Sequence, residues 1–313
     1  MEFLIISTLN GAIFGMLLFM VSAGLTLIFG MMGVLNFAHA SFYMLGAYVA
    51  FTVSSLVDFW VGLLVAPIVV GLVGILVERY LLRRVHAHGH AHELLLTFGL
   101  ALVFEEVIKL FYGDFPVNYQ MPEYLRFAAF TVFGTDYPFY RLFIGGVAVI
   151  MFVVLYILLS RTRTGIVVRA AERLPAMAEA LGHNIPVVFM GVFGTGAALA
   201  GLGGAVAGAF FPTSPNMALE LGVIVFVVVV VGGLGSLEGS LIASLLIGMF
   251  SSFAVGLDWS LASLFGLVGL GGWADSLGGL MTMTISSISG SIPFLLMLVV
   301  LLVRPAGLMG DRN

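Results

Sequence analysis

The chain has 313 residues, 61% of them hydrophobic and only 9% charged, with a net charge of −4. Soluble domains carry about 25% charged residues, so the composition excludes a water-soluble enzyme and offers no basic surface for nucleic acid. An integral membrane protein with little mass outside the bilayer is expected, and the mean hydropathy of +1.17 agrees.

Apolar runs at about 3–29, 40–57, 59–78, 94–112, 139–160, 187–211, 218–231, 240–257 and 287–303 are candidate helical spans. The predicted fold class is all-α: a polytopic transmembrane helical bundle of about 8–9 spans, at least one of them short or broken. Residues 1–313 read as one membrane domain. The first run has no basic residues ahead of it and no clear small-residue cleavage site, so a retained span is expected rather than a signal peptide. The run at 218–231 would rise only about 21 Å as a helix, short of the roughly 30 Å hydrocarbon core. It either continues through Gly232-Gly233 or is a broken, partly inserted helix. Forty glycines are useful in lipid, where small residues let helices approach closely.

Charge sets the expected orientation. Arg79, Arg83 and Arg84 follow the third run, Arg161 to Arg173 the fifth, and Arg304 and Arg312 the last. Alternate crossing puts all three groups on one side, and the positive-inside rule makes that side cytoplasmic. The N-terminus is then outside and the C-terminus inside, with Arg126 and Arg141 as outer dissenters. External loops are expected at about 113–138 and 258–286, the second with a short interfacial helix near Trp259 and Trp273. The tract His86, His88, His90 and His92 predicts a solvated cytoplasmic loop. Glu105 and Lys109 are spaced to pair on one helix face.

The absence of cysteine removes disulfides, thiolate metal sites and cysteine nucleophiles. The only lysine, Lys109, lies in VFEEVIKLFYG, so no G-x-x-x-x-G-K-[ST] phosphate loop exists. If ATP is involved, another chain binds it.

The polar stretch RTRTGIVVRAAERLPAMAEALGHN, Arg161 to Asn184 in a loop of about 161–186, carries four arginines between two long apolar runs. Pro175 suits the first turn of a short helix and Gly182 the left-handed position past its end. Ala176, Met177, Ala180 and Leu181 form a small apolar stripe between them. Such an element is either a docking surface or an interfacial helix lying on headgroups. Asn36, His39 and Ser41 are polar groups within or beside an apolar run. They line or gate a pathway, or they cap and brace a helix break. Gly232 to Gly239 reads as a tight turn with close helix approach, with Glu238 able to accept from helix N–H groups, and Arg304-Pro305 as a helix stop with a headgroup anchor.

Four stretches, in order along most of the chain, carry a resemblance. These are Gly30-Met-Met-Gly-Val-Leu-Asn-Phe-Ala-His-Ala40, then Gly165, Arg169, Ala170, Ala178, Gly182 and Asn184 in their spacing, then Gly232-Gly-Leu-Gly-Ser-Leu-Glu-Gly239, then Arg304-Pro-Ala-Gly-Leu-Met-Gly310. Together they resemble the branched-chain amino acid (Liv-type) ABC transporter permeases. Ala40 stands where that family usually has Gly, and 258–286 is longer than its pattern.

The resemblance implies a non-catalytic membrane subunit of an importer in the bacterial inner membrane, working with a periplasmic solute-binding protein, two ATPases and a second, related permease chain rather than an identical copy. Its cargo would be branched-chain or other hydrophobic amino acids, or related small compounds. This chain would bind no cofactor, with ATP and Mg²⁺ on the ATPases. The resemblance further implies that Gly165, Arg169, Ala170, Glu172, Arg173, Ala178, Gly182 and Asn184 form the ATPase-coupling loop. Asn36, Phe37, His39, Ser41, Gly232, Gly233, Gly235 and Ser236 would belong to the translocation pathway. ATP-driven closure of the ATPases would tilt the coupling helices as rigid bodies. The rival readings are a stand-alone secondary carrier or channel, which needs acidic groups mid-span, and an intramembrane enzyme, which needs a nucleophile–base pair or a metal set. The pattern supplies neither convincingly.

Overall fold

The structure, a computed structural model, describes residues 2–86, 88–132, 134–257, 259–260, 263, 265 and 279–310. All nine apolar runs are helical. The long elements are α1 (Glu2–Met32), α2 (His39–Leu56), α3 (Phe59–Val77), α5 (His90–Tyr112), α6 (Phe139–Arg161), α9 (Ile185–Ala207), α10 (Met217–Gly232), α11 (Leu237–Val255) and α12 (Ile292–Val303). Short helices α4 (Arg83–His86), α7 (Arg163–Arg173) and α8 (Pro175–Ala180) lie between them. Among the described residues six helical stretches are long and apolar enough to cross a bilayer, and α10 is a shorter apolar helix. The protein is a multi-pass membrane protein. Among the described residues the departure from an all-helical plan is a hairpin, β1 (Ala128–Val132) with β2 (Thr135–Pro138) antiparallel, in the 113–138 connection.

α1 is the hub. It is 31 residues long, about 46 Å at the helical rise, and packs against α6, α9 and α11. α9 in turn packs against α2 and α3. The contacts run on glycine. A Cβ on Gly15 of α1 would sit 2.8 Å from the Leu245 Cα of α11, and one on Gly196 of α9 would sit 2.8 Å from the Gly24 carbonyl oxygen of α1. Backbones this close leave no room for a side-chain layer, which is how packing stabilises helices where lipid is as apolar as leucine. α12 and the outer face of α6 stay largely exposed, as expected of lipid-facing surfaces.

α3 does not stop at Val77. It runs through a π-helical turn, Glu78–Leu82, into α4. The buried Glu78 carboxylate accepts from Arg83 Nε and Nη2 (3.3 and 3.0 Å), and Arg83 also donates to the Pro186 carbonyl (2.9 Å) at the start of α9. A carboxylate this deep needs such a partner.

The histidine tract is not the loop that the sequence predicts. His86 ends α4, and His90 and His92 open α5. His86 Nδ1 and His90 Nδ1 both meet the buried Glu93 carboxylate. No group of three or more His, Asp or Glu positioned for a metal occurs among the described residues. Lys109 pairs with Glu105 (2.7 Å) as its spacing predicts, and also with Glu106 (3.0 Å). The run at 218–231 does not continue through the glycines, because α10 ends at Gly232 and Gly233 turns the chain at φ +102°. Most of 258–286, including Trp273 and the expected interfacial helix, lies outside the described residues. The margins of that segment meet where Ser260 pairs with Thr284 and the Ile285 amide donates to the Trp259 carbonyl (2.8 Å).

Candidate functional site

The 161–186 stretch folds into an elbow of α7 and α8. Thr162 caps α7 by accepting from the Gly165 amide (3.1 Å). Gly165 is buried, and a Cβ there would lie 2.5 Å from the Leu158 carbonyl oxygen at the end of α6. Only glycine lets α7 start this close to α6. Pro175 opens α8, and Gly182 follows it at φ +89°, with the His183 amide donating back to the Ala178 carbonyl (3.1 Å). Asn184 caps α9 by accepting from the Val187 amide (3.3 Å).

The elbow has two faces. Val168, Ala171 and Ala178 are buried with Leu27 and Met31 of α1 and Ile185 and Val192 of α9. This anchors the elbow on the hub helix. On the other face Ala170, Ala176 and Ala180 are exposed, with Met177 at 60% and Leu181 at 76%. The apolar stripe predicted from sequence is therefore unpartnered. Arg169 is exposed, and its Nη1 donates to the Leu159 carbonyl, so it also caps the end of α6. Glu172 and Arg173 lie on α7.

The second set of candidate residues divides in two. Asn36 is 4% exposed, and His39 and Ser41 are each 1% exposed, at the start of α2. His39 Nε2 donates to the Val21 carbonyl of α1 (2.9 Å), and Asn36 Oδ1 accepts from the Ala38 amide (3.1 Å). Val21 lies about 16 Å back along α1 from its end at Met32, so α2 begins deep inside the bundle and the connection 33–38 climbs to it. Asn36, Phe37 and His39 line a largely apolar cavity of about 320 Å³ between α2, α5 and α10, where Phe37 stacks on Phe226 at 6.1 Å. Asn36 Nδ2 and His39 Nδ1 have no hydrogen-bond partner there.

Gly232, Gly233, Gly235 and Ser236 lie elsewhere, at the elbow's end of the bundle. Ser236 caps α11 by accepting from the Gly239 amide (3.0 Å), and Glu238 is exposed. The Gly30 backbone of α1 closes on Gly235, where an added Cβ would be 3.1 Å from the Gly235 Cα. The Arg304–Gly310 segment is more than a helix stop. Leu308 and Met309 amides donate to the Val231 and Gly232 carbonyls (2.8 and 3.0 Å), which clamps the segment onto the end of α10. Gly307, at φ +81°, lies against Gly233, with an added Cβ only 2.6 Å from the Gly233 Cα. These bonds join residues far apart in sequence, so no local signal gives them away.

The end of α1 (Phe29 to Gly33), Ala171 and Pro175 of the elbow, Leu234 to Ser236 and Met309-Gly310 all line one cleft of about 840 Å³. His86 lines it too. Comparison with known proteins identifies the family of the chain. Residues 7–301 match the family model described as the branched-chain amino acid transport system permease component. The chain belongs to that family.

The permease is similar along nearly its whole length to curated relatives. The high-affinity branched-chain amino acid transport system permease protein BraD of Pseudomonas aeruginosa is 25% identical over 96% of this chain and 94% of its own. LivH of Escherichia coli K12, described in the same terms, is 26% identical over 96% and 94%. A probable LivH of Methanocaldococcus jannaschii is 29% identical over 82% of each chain. The solved structure titled "PsaBC from Streptococcus pneumoniae in complex with Fab" overlaps 95% of the permease and 91% of that chain at a TM-score of 0.47 and 13% identity, too loosely to carry argument.

Proposed function

We propose that the permease is the membrane-spanning, non-catalytic subunit of an ATP-binding-cassette importer in the bacterial inner membrane, moving branched-chain or other hydrophobic amino acids delivered by a periplasmic binding protein. Two ATPases hold ATP and Mg²⁺, and a related permease chain completes the pathway. The observation that carries this reading is the elbow: one face is fixed on α1 and α9, and the other shows apolar side chains that the chain leaves mostly exposed. A handle of that kind is built to be gripped. Gly165, Gly182 and Asn184 set its shape, Ala178 anchors it, and Arg169, Ala170, Glu172 and Arg173 lie on the helix that leads into it.

Force applied at the elbow reaches α1 through Leu27 and Met31, and α9 through Ile185. It reaches α3 through the Arg83–Pro186 bond. α1 carries Val21, on which His39 and the start of α2 hang. Tilting the elbow therefore reshapes the cavity of Asn36, Phe37 and His39, the buried polar section of the pathway. Gly232 to Ser236 act as the hinge beside the elbow rather than as a lining of that cavity. Bulk apolar walls suit aliphatic cargo, and specificity resides in the external binding protein.

The test is to co-express the permease with a Liv-type partner permease and ATPases, reconstitute the complex, and measure ATP-dependent leucine uptake with the binding protein. Uptake by the permease alone, without ATPase, would overturn the reading, as would labelling of the elbow from the periplasmic side only.

A further inference from the structure

Arg141 breaks the charge pattern of the chain, and its surroundings explain why. It is the third residue of α6. From Arg141 to Arg161 the helix rises about 30 Å, the thickness of the hydrocarbon core. The two arginines therefore mark the two headgroup levels of one span.

Arg161 is exposed, whereas Arg141 is part-buried and held in place. Its guanidinium lies 5.5 Å from the Tyr137 ring and 5.3 Å from the Phe210 ring. Nη1 donates to Asn10 Oδ1 of α1. Nε is buried without a partner. No carboxylate pairs with it among the described residues. A fixed cation at the hydrocarbon boundary, with no carboxylate on it among the described residues, is a place for a bound anion.

Beside it runs a groove of about 500 Å³ between α1, α6 and α11. Its walls are Ile13, Phe14, Leu17, Ile144 and Val255, and they carry no acidic residue. Ser251 Oγ, buried and unpartnered, faces the same groove from α11. An amino acid zwitterion matches this poorly, because its ammonium would find no carboxylate and Asn10 Oδ1 is already taken by Arg141. A lipid phosphate with an aliphatic tail matches both the guanidinium and the apolar walls.

We propose that this groove binds an anionic phospholipid, its phosphate on Arg141 and one acyl chain laid along Ile13, Phe14, Leu17 and Ile144. The site requires only that α6 spans the bilayer and is independent of cargo and ATPase.

The full-length permease, purified in neutral detergent, is exposed to phosphatidylglycerol and phosphatidylcholine of matched chains, and retained lipid is read by native mass spectrometry. The wild type should keep phosphatidylglycerol in preference. R141Q should lower its retention about fivefold, the effect of roughly one basic residue near the headgroups. V255W, which fills the groove from an exposed position and keeps the charge, should lower it as well. R126Q removes an outer arginine bonded to Gln120 and away from the groove, and should change nothing. Should R141Q fail to fold, V255W against R126Q carries the comparison. The proposal is overturned if the wild type shows no preference for the anionic lipid, if R141Q or V255W retains it as the wild type does, or if saturating leucine displaces it.

Discussion

Met177 and Leu181 give the sharpest handle on the coupling assignment, because both are exposed on the elbow and folding does not depend on them. Burying a whole leucine or methionine side chain is worth about 1.5–3 kcal/mol. With Leu181 at 76% and Met177 at 60% exposed, docking of an ATPase over both gains roughly 2–4 kcal/mol. Replacing both with alanine should forfeit about 2–3 kcal/mol of that, so the affinity for the ATPase should fall roughly 30- to 150-fold. Folding should be untouched, since alanine is the best helix former. The assay is titration of the labelled ATPase onto the permease in nanodiscs, with the thermal midpoint of each permease as an internal control. An affinity within threefold of wild type at an unchanged midpoint would refute the docking face. If the elbow instead lay on lipid headgroups, the same variant would keep its ATPase affinity and lose protection from aqueous quenchers.

Other outcomes follow from the end of the bundle that carries the elbow. Gly307→Val forces a β-branched residue into a left-handed backbone and onto Gly233. It should cost about 2 kcal/mol or more through strain and the loss of two amide bonds to α10, seen as a lowered detergent melting midpoint. Arg83→Met alone leaves Glu78 buried and unpaired, a loss of about 3–5 kcal/mol. The double variant Arg83→Met with Glu78→Gln should recover most of the midpoint, and no recovery would show that the pair is not what holds the π-turn. A strong chelator should leave transport unchanged, because His86 and His90 are engaged with the Glu93 carboxylate. Inhibition reversed by added zinc would contradict this.

Much of the fold was legible in the sequence because lipid makes the code simple. Each run of apolar residues became a helix, and Pro175, Gly182 and Asn184 sit at the helix boundaries their backbone chemistry favours. The elbow's inward and outward faces were only half legible. The stripe at Met177 and Leu181 could be read from spacing, but the anchoring of α7, with Val168 and Ala171, on α1 depends on a helix more than a hundred residues upstream. The distance between Asn36 and Gly232 was not legible either, since the climb from Gly33 to His39 takes Asn36 into the bundle while Gly232 ends α10 beside the elbow. His86 and His90 looked like a polar loop because nothing local shows that Glu93 is buried between them. The role of Arg304 to Gly310 was hidden for the same reason: its partners are backbone groups of α10, and backbone carries no signature of who will meet it.

The clamp of Leu308 and Met309 on Val231 and Gly232 has a consequence for biosynthesis. When α10 leaves the ribosome, its last carbonyls have no mates, and none arrive until α11, the 258–286 segment and α12 have been translated. The bundle can insert helix by helix, yet the corner beside the elbow stays open until that final strip is threaded home. A chain interrupted after Val303 would thus carry every described helix and still lack the bonds that finish the corner beside the elbow.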